Sequence, residues 1–287
     1  MLIDCHQHTN WHGKDCNAVV ADMDRCGIDV SWLLSWEVPE GEYDPHYFSA
    51  FDPRRIGMPF DDIVHACERH PTRFIAGYAV DPRRPDAIER LEASVKMFHV
   101  RVYGELKLRI LFDDPDAVRM FQRCGELGLP VLFHIDIPDK VRPKPPHRDY
   151  WYCVDIDRLE TVLKLCPETI FIGHAPGFWR HISGDGYTAE SAYPKGEITP
   201  GGRVPELLSK YKNLYADLSA GSGLTAISRP PETHGRKFLI EFQNKLMFGR
   251  DCFSDDLMNF LKKQKLPQGV WDKITFQNAL KLVPIQK

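Results

Sequence analysis

Eight short apolar runs punctuate the chain: LIDC (2–5), VSWLLSW (30–36), RFIAGYAV (73–80), VRVYGELKL (100–108), PVLFHID (130–136), TIFIGH (169–174), NLYADLS (213–219) and KLMFGRD (245–251). They are too short for helices and lack strict alternation, as expected of strands covered on both faces. The stretches between them carry helical spacing. Residues 84–98 place Ile88, Leu91, Val95 and Phe98 on one side of a helix. Residues 115–128 open with Pro115 and close on Gly128, the usual asymmetry of helix ends. Residues 155–167 and 255–265 read the same way. Strands alternating with helices predict a parallel sheet, and the number eight favours closure into a (β/α)8 TIM barrel over an open doubly wound sheet. No G-x-G-x-x-G follows any run, which weakens the dinucleotide-binding alternative further.

The connections after the second, fifth and sixth runs are long: residues 37–60, 137–153 and 175–202. All three leave the C-terminal ends of strands, the face of a barrel that carries active sites, and loops of this length in a compact domain are usually lids or binding segments. No linker, repeat or low-complexity segment interrupts the 287 residues, so residues 1–287 are expected to form one domain.

Composition changes this picture little. The chain is 43% hydrophobic and 27% charged, ordinary for a globular protein with a full core. A net charge of −3 provides no basic surface and argues against a nucleic-acid partner. No apolar run approaches the ~20 residues of a membrane span. The first run starts at residue 2, leaving no room for a signal peptide, so a cytoplasmic protein is expected. The eight cysteines form no C-x-x-C pair and read as reduced, mostly buried thiols.

Candidate chemistry sits where the runs end. His6 and His8 close the first run and share one side of a strand. Glu105 lies in the fourth run, His134 in the fifth, His174 ends the sixth and Asp251 the eighth. Only twelve histidines exist, and four of them occupy such ends. In a barrel those ends converge on one mouth, and imidazole with carboxylate is the donor set of Zn²⁺ and Mn²⁺ sites.

These residues resemble the amidohydrolase superfamily, and specifically its amidohydrolase-related branch. The resemblance spans essentially the whole chain: the His-x-His after strand one, single histidines at strands five and six, and the aspartate of FGRD at strand eight. It implies that His6, His8, His134 and Asp251 hold one divalent metal, with His174 close by as a supporting or second-metal group. One departure concerns strand four. Many two-metal members carry a carboxylated lysine there, whereas this chain offers Glu105 and, two residues on, Lys107. GELKL also resembles the G-E motif of TatD-like deoxyribonucleases, whose glutamate is a ligand, so Glu105 could bridge a second ion on His174. An internal ion pair between Glu105 and Lys107 or an arginine is the competing reading.

Lys107, Arg109 and Arg180 are candidates to meet a substrate carboxylate. Trp179, with Tyr150, Trp151 and Tyr152, would line the mouth with aromatic surface or pack the lids down. His147 lies beside Arg148 in the fifth loop. Asp217 is placed to orient a ligand. Cys5 and Cys252 are expected to alternate to the far side of their strands. The chemistry implied is hydrolysis of an amide, lactone or ester of a small molecule through metal-activated water, with Asp251 as proton shuttle and His174 stabilising negative charge. Zn²⁺ is the first choice of metal and Mn²⁺ the second, as one or two ions. Non-oxidative decarboxylation on the same site is the alternative, and a non-catalytic binding barrel the third. A homo-oligomer is compatible with all three.

Overall fold

The computed structural model describes residues 1–39, 42, 57–137, 153 and 155–285. Its eight parallel strands are β1 (Ile3–Gln7), β2 (Val30–Leu34), β3 (Phe74–Gly77), β4 (Tyr103–Leu106), β5 (Val131–His134), β6 (Phe171–His174), β7 (Leu214–Asp217) and β8 (Leu246–Met247). β2 to β8 each fall inside one of the apolar runs, and β1 begins in the first run and extends two residues beyond it. Ladders join β1, β2 and β3 into one sheet, and β4 through β8 into another. Backbone bonds close both seams. The β3–β4 seam has a Gly77–Val102 bridge, with Tyr78 N donating to Val102 O at 3.0 Å and Arg101 N to Ala76 O at 2.9 Å. At the β8–β1 seam, Cys5 N donates to Phe248 O at 3.0 Å and Asp251 N to His6 O at 2.8 Å. The ring therefore runs β1 to β8 and back to β1, the order of a TIM barrel.

A helix follows every strand: α1 (Cys16–Cys26), α2 (Phe60–Arg69), α3 (Ala87–Phe98), α4 (Pro115–Glu126), α5 (Ile156–Leu165), α6 (Arg203–Lys210), then α7 (Ala220–Ile227) and α8 (Thr233–Glu241) after β7, and α9 (Asp256–Lys263) after β8. Local chemistry starts several of them. Asp15 accepts from Ala18 N at the head of α1, and Asp155 from Asp157 N and Arg158 N at the head of α5. Pro115 opens α4 behind Asp114, which accepts from Asp116 N. Among the described residues no helix is long and apolar enough to cross a membrane.

Two apolar layers result. Phe112, Phe121, Phe133 and Phe171 pack in the layer between strands and helices. Ile3, Cys5, Trp32, Leu132, Ile172, Tyr215 and Met247 fill the lumen, and Ala279 and Val283 of the C-terminal segment close its lower end. Met1 lies 3.9 Å from Asp29, just ahead of β2, so both ends of the described chain sit below the barrel. The lumen layer fixes what lies above it. Side chains two residues apart share a face, so Leu132 places His134, Ile172 places His174 and Tyr215 places Asp217 at the upper mouth.

Two strands break that alternation. The β1–β2 register slips between Asp4 and Gln7, and the β4–β5 register between Tyr103 and Leu106. Cys5, expected on the far side of its strand from His6, therefore packs in the lumen beneath it. Of the long loops, residues 36–37 leave and 57–58 return as a two-residue antiparallel pair. Tyr150, Trp151, Tyr152, His147 and Arg148 lie outside the described residues.

Candidate metal centre

β1, β4 and the segment after β8 bring four donor atoms together: His6 Nε2, His8 Nε2, one oxygen of Glu105 and one of Asp251. His6 and His8 Nε2 are 3.2 Å apart; Glu105 Oε2 lies 3.8 Å from the first and 3.4 Å from the second; Asp251 Oδ1 lies 3.6 and 3.2 Å from them. A tetrahedral ion with ligands at ~2.0–2.2 Å requires donor separations of about 3.3–3.6 Å. His6, His8 and Asp251 offer donor atoms at separations close to these, and Glu105 lies within 3.8 Å of both rings.

The imidazoles are held for that task from behind. His8 Nδ1 donates to Leu34 O at 2.8 Å, and since a carbonyl can only accept, the neutral ring carries its lone pair on Nε2. His6 Nδ1 donates to Asp217 Oδ2 at 2.7 Å. A carbonyl or carboxylate behind each ligating ring is the usual support of metal histidines.

The second oxygen of each carboxylate faces His174, and that of Glu105 faces His134 as well. Glu105 Oε1 accepts from His134 Nδ1 at 2.6 Å and lies 3.7 Å from His174 Nε2, while Asp251 Oδ2 lies 3.5 Å from the same nitrogen. His174 Nδ1 bonds Ser219 Oγ at 3.0 Å and sits 3.4 Å from Asp217 Oδ2. The structure thus gathers His6, His8 and Asp251 in one metal-sized group, and Glu105, His134 and His174 in another. Glu105 also stands 3.8 and 3.4 Å from His6 and His8 and so links the two groups. His134, across the β5–β6 register from His174, stands on the far oxygen of Glu105.

The charge balance is that of a cation site. Burial alone would raise Glu105, yet the charge and hydrogen bond of His134 hold it well below the usual carboxylate range. Asp251 is likewise held well below, against burial, by His6, His174 and His8. Burial would lower His6, but Asp251 and Asp217 hold it well above the usual imidazole value. Protons taken up by His6 and His8 balance the same carboxylates that would face a cation. An ion entering must displace them, so its affinity falls as pH falls.

The remaining expected residues take different places. Lys107 Nζ stands 4.2 Å over the Trp36 ring and helps, after burial and His134, to set the charge of Asp136, whose Oδ2 is 3.7 Å from His134 Nε2. Arg109 is buried, and its amide donates to Glu42 Oε2 at 3.1 Å. Trp179 is 1% exposed and packs in the wall against Phe178 and Phe238, its indole donating to Asp217 O at 2.9 Å. It supports the strand end beneath the cluster and presents no surface to the mouth. Arg180 Nη2 donates to Ala189 O within the same loop. Ser219 is a site residue that sequence reasoning did not single out. It is fully buried between His174 and His6, and its position two residues after Asp217, on the same face, was the available signal.

The loop after β6 is built from short helical turns, Pro176–Trp179, Arg180–Ile182 and Gly184–Tyr187. It is pinned by buried Arg229, which donates to Asp185 Oδ2 at 2.6 Å and to Gly196 O at 2.8 Å. His181 lies in its base, where burial first and then Arg180 lower its pKa to about 4. In the unfolded chain the same ring titrates near ~6.5. The unfolded state therefore takes up the proton first as pH falls, and the stability present above ~6.5 is lost progressively down to about 4. At pH 5 the loss amounts to about 2 kcal/mol. Urea midpoints of the wild type should fall between pH 7.5 and 5 by correspondingly more than those of His181→Gln. Equal losses in the two proteins would refute this assignment.

The chain superposes on 5-carboxyvanillate decarboxylase from Sphingomonas paucimobilis with a TM-score of 0.63 at 16% identity, covering 99% of both chains. For a probable 2-pyrone-4,6-dicarboxylic acid hydrolase from Acinetobacter baumannii the TM-score is 0.60 at 14% identity, covering 98% of both. An amidohydrolase from Burkholderia multivorans with bound zinc gives 0.63 at 13% identity over 100% of both. At these identities the likeness concerns the fold. No curated protein sequence matches the chain. The amidohydrolase family profile (Amidohydro_2) matches residues 3–285, from the strand that carries His6 to the segment closing the lower end of the barrel, and the chain therefore belongs to the amidohydrolase family.

Proposed function

We propose that this chain is a metal-dependent hydrolase of an amide, lactone or ester bond in a small molecule. The observation that carries the reading is the double role of the two carboxylates. Glu105 and Asp251 each turn one oxygen to the His6–His8 pair and the other towards His174. That arrangement suits one ion between His6, His8, Glu105 and Asp251, with room for a second beside His174 and His134; Zn²⁺ is the first choice and Mn²⁺ the second.

A divalent ion bound there makes water more acidic and polarises an acyl oxygen. The chain's own groups do the rest. Asp251, whose side chain is 18% exposed while His6, His8 and Glu105 are almost fully buried, is the member of the set open to the mouth. It is ionised at neutral pH and placed to accept a proton from attacking water and return it to the leaving group. His174, anchored by Ser219 and Asp217, donates towards the oxygen that gains negative charge. Lys107, at the rim beside Asp136, is the cation we assign to a negatively charged part of the substrate.

The reading predicts stoichiometric divalent metal in the purified protein. It also predicts that, in a panel of lactones, amides and aromatic acids, the product carboxylate gains ¹⁸O from labelled water. Release of CO₂, with deuterium from D₂O on carbon and no ¹⁸O in the organic product, would replace hydrolysis by decarboxylation on the same site. A metal-loaded protein inert towards the whole panel would support a binding role instead.

A further inference from the structure

At the β8–β1 seam, side chains hold together what no regular ladder joins. Asp4 Oδ1 accepts from the amide of His6 at 3.2 Å and from that of Arg250 at 2.9 Å, while its Oδ2 accepts from Arg250 Nε at 2.9 Å. Arg250 Nη1 donates to Asp22 Oδ2 on α1 at 2.8 Å. Asp22 in turn accepts from Arg25 Nη2 at 2.8 Å, and Arg25 reaches Asp255, just ahead of α9, at 2.7 Å. Asp4 is fully buried, and the Arg250 side chain is only 2% exposed.

A buried guanidinium between two carboxylates is a poor device for stability alone, because desolvating the charges offsets most of their attraction. Its geometric effect is specific. Two of Asp4's bonds end on backbone amides, one of candidate ligand His6 itself and one of Arg250, the immediate neighbour of Asp251. We infer that Asp4, through Arg250, is a positioning residue for the candidate metal centre. It locks β1 against β8 and so sets the 3.2 and 3.6 Å separations of Asp251 from His8 and His6. The inference rests on the metal reading of that centre. Arginine is required because its planar fork spans Asp4 and Asp22 at once, which a lysine ammonium cannot reproduce.

The test measures affinity for Zn²⁺ alone, and separately for Mn²⁺ alone, by competition with a chelating dye, alongside urea stability of the metal-free protein. Asp4→Asn and Arg250→Lys should each weaken metal binding by ~10–100-fold, the range found when groups supporting metal ligands are replaced. Asn213→Ala serves as a stability control. It removes a buried amide bonded to the carbonyls of Leu163, Cys166 and Thr169 at the lower end of the barrel, and should lower stability while leaving metal affinity within about threefold. Should Asp4→Asn fail to fold, Arg250→Lys, which keeps the charge, decides the matter. Wild-type binding with Arg250→Lys unchanged, or weakened only as much as Asn213→Ala, overturns the positioning role alone. A wild type that binds neither metal overturns the metal reading together with it.

Discussion

Replacing His6 and His8 together by alanine is expected to abolish metal retention while the barrel stays folded. The two rings supply both nitrogen donors of the His6–His8–Asp251 group, while the neighbouring imidazoles His134 and His174 face the other oxygens of Glu105 and Asp251. What remains is a pair of carboxylates, Glu105 and Asp251, with oxygens facing a gap that no imidazole fills. The fold should survive because the apolar lumen beneath, formed by Trp32, Leu132, Ile172, Tyr215 and Met247, is untouched, and the seams are closed by backbone bonds. The truncations open space at the mouth, at a cost of a few kcal/mol by analogy with other large-to-small changes in packed sites. Elemental analysis after dialysis, with circular dichroism on the same sample, tests both halves. Stoichiometric metal in the double variant would show that the ion is held by other residues, with Glu105, His134 and His174 the group to test next.

Most of the barrel was legible because strands covered on both faces read as continuous apolar runs, and a strand begins in each of the eight runs. The polar layer was legible for the same reason. His134, His174 and Asp217 stand two residues beyond Leu132, Ile172 and Tyr215, and a period of two carries them to the mouth without further information. Where that period fails, reading along the chain fails with it. The register slip in β1 puts Cys5 and His6 both inside, which no alternation rule anticipates. The slip in β4 lies beside Glu105, which reaches His6 and His8 with one oxygen and His134 with the other, a double contact that period-two reading does not anticipate. Trp179 was legible as a large aromatic after β6 but not as a wall residue, since the short helical turns that bury it have no periodic signal of their own. The Asp4–Arg250 contact joins residues 246 positions apart and depends on ring closure, so no local pattern points to it.

Asp251→Asn is expected to lower turnover of the substrate identified in the panel by ~10²–10⁴-fold, the usual contribution of a positioned acid–base group. Asparagine keeps the shape of the side chain and one carbonyl oxygen for the place 3.2 Å from His8 Nε2, but it cannot accept a proton from water at neutral pH. Weakened metal binding is a separate effect and is removed by assaying at saturating metal, with content checked on the assayed sample. Under that condition the loss should fall on kcat with KM nearly unchanged, since a proton-transfer role is exerted in the transition state and adds little to ground-state binding. Asp251→Ala removes the oxygen as well and should lose metal in addition to turnover. A fully metal-loaded Asp251→Asn within tenfold of the wild type would take the shuttle role from Asp251 and leave His174, 3.5 Å from its second oxygen, as the group to test next.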